Sequence, residues 1–297
     1  MNLRDYELLY DLPDGQYEGS AIGGIRTVTY RAGRSLEVMC HPILKWPEGA
    51  RREAKRRRTS PQMQRVNERN TMRHIMRLIE ANFTPEAIVV TLTYDYPTDD
   101  YAMMDRKEAW RVFWEDKLPE DIEDVRRELR NFDGRLKRLV KRRGGDPAAY
   151  KWIKRVEEGA TEEPYGLPPK FHAHLVIEAP EITVYDIGKL WDRGFVSAER
   201  LDMRRDGAAR LARYFTKQKR GGRWWSHSRN LKIVQPRVSD RKVSRRRAME
   251  LAKDVRQHGR EILEALYPGY ALQALPEVAY SDYLQGAYIY ARMRRRD

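Results

Sequence analysis

The sequence predicts an α+β fold, and three observations carry that prediction. A continuous β-branched run, Ala87-Ile88-Val89-Val90-Thr91-Leu92-Thr93-Tyr94, has the length and composition of a buried central strand. A second stretch, Phe171-His172-Ala173-His174-Leu175-Val176-Ile177, alternates as a strand does, so His172 and His174 share one face and Phe171, Ala173, Leu175 and Ile177 the other. Two long segments, near residues 61–82 and 122–142, repeat apolar side chains at helical spacing.

Taken in order, residues 1–60 form a β-rich and basic lead-in. Ile25 to Tyr30 and Leu36 to Cys40 are β-prone runs separated by Arg31-Ala32-Gly33-Arg34-Ser35, which predicts a hairpin. A basic cluster runs from Arg51 to Arg58 and ends at Thr59-Ser60-Pro61, where Ser60 suits the N-cap and Pro61 the first helical position. The helix that follows runs to about Asn82. Met72, Ile75, Met76 and Ile79 give it an apolar stripe, and Arg65, Arg69, Arg73 and Arg77 repeat along a basic one, so one face packs and another can meet phosphates.

The core, residues 61–235, continues through the Ala87–Tyr94 strand and an aromatic segment containing Trp110, Phe113 and Trp114. Ile122, Val125, Leu129, Phe132, Leu136 and Leu139 then mark the second amphipathic helix, whose outer face carries Arg126, Arg127, Arg130, Lys137, Arg138, Lys141 and Arg142. Tyr150 to Glu157 reads as a strand. A Gly/Pro-rich connection (Gly166, Pro168, Pro169) returns the chain to the histidine strand, which predicts antiparallel pairing and brings a terminal glutamate near His172 and His174. Two imidazoles facing one way offer neutral nitrogen donors, and a carboxylate completes a three-ligand set for a divalent ion. A shift of one residue in register would exchange Glu157 for Glu158.

Beyond Pro180 a short helix with Ile187, Leu190 and Trp191 leads to a strand at Phe195-Val196, and Asp206 suits the cap of a helix from Ala208 to about Lys219. Its apolar face is Ala208, Leu211, Ala212 and Phe215. Tyr214 flanks that face, with Lys217 and Arg210 as surface neighbours. Arg223, Trp224, Trp225 and Arg229 then mix cations with rings, a combination suited to single-stranded nucleic acid, where bases stack on rings and phosphates meet arginine. Residues 236–297 read as a basic, helical extension with a tyrosine-rich end.

Bulk properties narrow the function. Against 44 Asp+Glu the chain of 297 residues carries 58 Lys+Arg, a formal charge of +14, which points to a polyanionic partner, nucleic acid first. No apolar run approaches the roughly 18 to 20 residues of a spanning helix, and the Met1-Asn2-Leu3-Arg4-Asp5 start resembles no signal peptide, so no membrane association and a cytoplasmic location are expected. Cys40 is the sole cysteine, which excludes an internal disulfide and a cysteine-based zinc site. Gly188-Lys189 is followed by Leu190, so there is no phosphate-binding loop of the GxxxxGK[ST] type.

Three signals thus stand in one order: Val90-Thr91-Leu92-Thr93-Tyr94, His172-Ala173-His174, and Tyr214-Phe215-Thr216-Lys217. This series resembles the motifs of the HUH endonucleases, specifically the initiators of rolling-circle replication in bacterial plasmids, phages and integrative elements. The likeness extends to Arg58-Thr59-Ser60-Pro61 with Asn67, to Asn82-Phe83, to Lys151-Trp152-Ile153 before Glu157, and to Trp224 through Leu231. It implies a central antiparallel sheet with helices packed against it, the histidines on an inner strand and the tyrosine on a helix above. It further implies Glu157, His172 and His174 as ligands of Mn²⁺ or Mg²⁺, Tyr214 as nucleophile with Lys217 beside it, and nicking and rejoining of single-stranded or hairpin origin DNA. A host helicase is the implied protein partner. DNA contacts are expected from Arg69, Arg73, Arg127, Arg130, Arg210, Arg223, Trp224, Trp225 and Arg229. A conjugative relaxase, an HUH transposase and a noncatalytic DNA-binding protein are the alternatives.

Overall fold

In a computed structural model of the chain, the described residues are 22–44, 61–95, 118–119, 121–159, 171–204, 206–216, 225–256, 258–281 and 286–296. Their elements, in chain order, are β1 (Ile22–Ala32), β2 (Ser35–Leu44), α1 (Pro61–Asn82), β3 (Ile88–Thr93), α2 (Ile122–Arg142), β4 (Lys151–Glu158), β5 (Phe171–Glu178), α3 (Val184–Leu190), β6 (Val196–Arg200), α4 (Gly207–Thr216), β7 (Trp225–His227), β8 (Arg237–Ser239), α5 (Arg245–Lys253), α6 (Gly259–Leu266), β9 (Tyr270–Leu272), β10 (Glu277–Ser281) and β11 (Gly286–Arg295). The fold is α+β with two antiparallel sheets. The Arg51–Arg58 cluster, the segment with Trp110, Phe113 and Trp114, the Gly166–Pro169 connection, Lys217, Arg223 and Trp224 lie outside the described residues.

The chain divides into two units, residues 82–232 and residues 1–81 with 233–297. In the first, five strands run in the order β6-β3-β5-β4-β7. Alternation sends Val90, Leu92, Ala173, Leu175 and Val156 to one face, where they meet Val125, Leu129, Phe132, Leu136 and Val140 of α2 in a single apolar core. Phe132 and Leu136 are wholly buried, each contributing on the order of 1.5–3 kcal/mol by leaving water. Asp121 caps α2 by accepting from the amides of Glu123 and Asp124. Acidic residues in the first turn and Lys141 and Arg142 in the last match the helix dipole. A capping box between Thr183 and Asp186 starts α3, and the Arg143 fork clamps Asp186 at 2.6 and 2.7 Å.

The second unit corrects the expectation of three successive segments, 1–60, 61–235 and 236–297. Its sheet runs β10-β11-β2-β1-β8, with β9 also on β11, so both chain ends share one sheet. A lone hairpin is marginal in water, and β1–β2 gains the further strands it needs from β8 and β11. The expected basic helical extension is in fact two short helices, α5 and α6, followed by strands. Leu36, Val38, Ile289, Ala291 and Met293 pack there with Leu251, Leu263 and Tyr267. Helix α1 belongs here apart from its last residue, Asn82. Its Arg77 pairs with buried Glu37 at 3.1 Å, and its Arg73 lies over the Tyr290 ring at 3.4 Å.

Candidate metal centre

The pairing of β4 with β5 decides between the two candidate glutamates. Glu157 stands opposite His172, and Glu158 stands opposite Phe171, on the apolar face. The same register sets Arg155 opposite His174, and β3 places Thr91 opposite His174 from the other side. One sheet face therefore carries Thr91, Arg155, Glu157, His172 and His174, while the reverse face is the core under α2.

On this face the Nε2 atoms of His172 and His174 each lie 3.4 Å from Glu157 Oε2. Donor atoms around an ion held at about 2.1 Å stand roughly 3.0–3.4 Å apart for octahedral to tetrahedral angles, so the spacing suits a divalent ion between them. All three ligand atoms lie within 4.8 Å of one another. His174 is 4% exposed at its side chain, and among the described residues its Nε2 is buried with no partner of hydrogen-bond geometry. Its Nδ1 is 3.1 Å from Thr91 Oγ1. Donation from Nδ1 to that hydroxyl would leave the lone pair on Nε2, facing the carboxylate, as metal-binding histidines require. Burial, and after it the neighbouring His172, hold the His174 imidazole down to about pKa 4, so at neutral pH it is an uncharged donor. Two imidazoles and one carboxylate thus fit a divalent ion of the first row or Mg²⁺.

Tyr214 belongs to this centre. Its ring meets the His174 ring edge to face, with centroids 4.4 Å apart and planes at 79°. It is 43% exposed, so its phenol can be reached from solvent. Burial and the Glu157 carboxylate push the phenol above its usual pKa, against an opposing effect of Arg155. Helix α4, which carries it, starts at Gly207 against the chain at Asp202. A Cβ on Gly207 would lie 1.6 Å from the Asp202 carbonyl oxygen, so glycine is what lets the helix begin there.

The expected DNA contacts stand in different surroundings. Arg210 is paired with Asp202 at 2.9 Å, and Arg127 with Asp124 at 2.6 Å. Arg127 and Arg130 stand on α2, across the sheet from the histidines. Arg69 is exposed on α1, in the other unit, whereas Arg73 of the same helix is buried, stacked on Tyr290 and paired with Glu277 at 3.1 Å, which withdraws it from solvent. Trp225 does lie on the metal face, opposite Arg155 on β7, with its ring stacked on His227 at 5.7 Å. Arg229 is exposed just after β7. Sequence reasoning passed over Thr91 as a site residue and Arg155 entirely. The signal for Arg155 was present, because it precedes Glu157 by two residues and so shares its face. Comparison of the chain with family models, curated proteins and solved structures finds no match.

Proposed function

We propose that the chain is a metal-dependent DNA strand transferase, an HUH-type initiator of rolling-circle replication that cuts and rejoins single-stranded or hairpin origin DNA through Tyr214. The observation that carries this reading is the placement of a half-exposed tyrosine ring against one histidine of a His-His-Glu cluster. A purely structural cluster of this kind needs no reachable phenol above it.

Glu157, His172 and His174 would hold Mn²⁺ or Mg²⁺. Bound there, the ion would supply positive charge that polarises a phosphodiester and steadies its developing negative charge. Tyr214 Oη attacks the phosphorus in line, its proton passing to solvent. The P–O3′ bond breaks, and the departing oxygen takes up a proton to become a free 3′ hydroxyl. The 5′ phosphate stays on Tyr214 as a phosphodiester, so the energy of the broken bond is retained and the reverse attack rejoins the strand. Trp225 and His227, on the edge strand of the same face, offer rings on which neighbouring bases can stack. The free 3′ end would prime synthesis, with a host helicase opening the duplex ahead of it.

The test is a nicking assay on a single-stranded origin oligonucleotide with Mn²⁺ or after chelation. Cleavage should require the ion, and His172→Ala or His174→Ala should abolish it while salt-sensitive DNA binding persists. Metal-independent cleavage, or binding lost in step with cleavage, would refute the assignment of the triad.

A further inference from the structure

Arg155 is buried to 1% exposure, among the largest fully buried side chains of the described chain. Its Nη1 donates to the backbone carbonyl of Tyr214, and its Nη2 lies 3.8 Å from Glu157 Oε2. Among the described residues neither Nε nor Nη2 has a hydrogen-bond partner. Burying a guanidinium with two nitrogens unsatisfied is costly, and an apolar side chain of similar volume commonly serves stability as well or better. Stability alone therefore does not account for an arginine here.

Its bond to Tyr214 does. The Tyr214 carbonyl lies towards the C-terminal end of the described part of α4, Gly207–Thr216, a direction in which the helix dipole favours a cation. Arg155 reaches up from the sheet and supplies both the donor and the charge. It does so at the backbone of Tyr214, whose ring rests edge to face on His174.

We infer that Arg155 is a positioning residue: by tying the Tyr214 carbonyl to β4, it fixes the phenol over the metal ligands. The inference rests on Tyr214 being the nucleophile, but the placement of the ring can be read without any cleavage. Arg155 is not among the three candidate ligands, so its removal should leave metal binding in place. Losing a cation near Glu157 should leave Mn²⁺ affinity unchanged or tighter. Misplacing the nucleophile by about 1 Å should slow its attack on the order of 100-fold.

The experiment compares full-length wild type, Arg155→Met and Arg155→Lys. In metal-free, DNA-free protein carrying ¹³C-labelled histidine, six imidazoles are observed. The His174 signal is identified as the one displaced in Tyr214→Leu, through loss of the ring current. In Arg155→Met that signal should move to its Tyr214→Leu position. Arg155→Lys keeps the charge without the planar fork and should recover part of the shift. Mn²⁺ titration should give wild-type or tighter affinity in both variants, and the single-turnover rate of adduct formation should fall in the same order as the shift. A wild-type His174 signal in Arg155→Met would overturn the inference, as would loss of Mn²⁺ affinity alongside the shift, which would make Arg155 a support of the triad itself. Should Arg155→Met not fold, the same readings are taken on Arg155→Lys and Arg155→Gln. A wild-type protein that shows the shift pattern but forms no adduct would refute the nucleophile assignment and leave the positioning role standing.

Discussion

Replacing Thr91 with valine removes one hydroxyl from beneath the metal centre and little else. Thr91 Oγ1 lies 3.1 Å from His174 Nδ1, and the imidazole is 4% exposed at its side chain, so no bulk water takes the hydroxyl's place. Two consequences follow. A buried N–H left without a partner costs about 1–3 kcal/mol. The proton can escape that cost by moving to Nε2, which then can no longer donate a lone pair to an ion. Loss of such an outer-shell partner typically weakens metal binding about 10–100-fold, or about 1.4–2.7 kcal/mol. Thr91→Val should therefore lower Mn²⁺ affinity by that factor, measured by calorimetry or by electron paramagnetic resonance of free Mn²⁺. The control is Thr93→Val, whose hydroxyl donates to the Phe195 carbonyl at 3.0 Å and holds no ligand. It should stay within about twofold of wild type by the same measure, since no ligand loses its outer-shell partner. Equal affinity in wild type and Thr91→Val would show that Nδ1 of His174 needs no partner, and would undo the lone-pair argument for Nε2.

Three other expectations concern the same unit. The Arg143 fork, and behind it hydrogen bonds from Thr183, hold the Asp186 carboxyl down to about pKa 2. An acid with a depressed folded pKa contributes stability that is present above its unfolded value near 4 and lost as pH falls through 2. Asp186→Asn should thus cost about 1 kcal/mol at pH 7 after allowance for solvent screening, and denaturant curves of variant and wild type should converge towards pH 2. Gly207→Ala should destabilise the unit by about 1–3 kcal/mol through its clash with Asp202, while Gly188→Ala in α3, with open space around its Cβ, should be neutral or mildly stabilising in thermal melts. Lys137, Arg138, Lys141 and Arg142 have no carboxylate partner among the described residues, unlike Arg126 and Arg127 of the same helix. Arg138→Glu with Arg142→Glu should weaken duplex DNA binding and reduce its salt slope by about 2, leaving cleavage of bound single strands unchanged.

The parts of the centre carried by local pattern were legible in the sequence. Alternation placed both histidines on one face, the short Gly/Pro return predicted the β4–β5 pairing, and the ends of α1 and α2 followed from Pro61 and the apolar stripes. What was not legible depends on partners far away in the chain. The pairing of β2 with β11 joins residues some 250 positions apart, and nothing near either strand announces it. Arg73 reads as one more member of a basic stripe until Tyr290 and Glu277 arrive to bury it. Arg155 resembled any cation in a basic chain, because a buried role for arginine is defined by the carbonyl it meets rather than by its neighbours in sequence. Arg210 was likewise legible only as a surface neighbour of Tyr214, and Asp202 claims that side chain.

Attack of Tyr214 on DNA over a metal held by Glu157, His172 and His174, as proposed, would leave a mark that mass spectrometry of the tryptic digest reads after reaction. A single-stranded origin oligonucleotide incubated with the protein and Mn²⁺ should leave its 5′-phosphoryl fragment on the peptide containing Tyr214, with none in Tyr214→Phe or after chelation. An adduct that persists in Tyr214→Phe, or cleavage that leaves only free DNA ends, would show that Tyr214 is not the nucleophile.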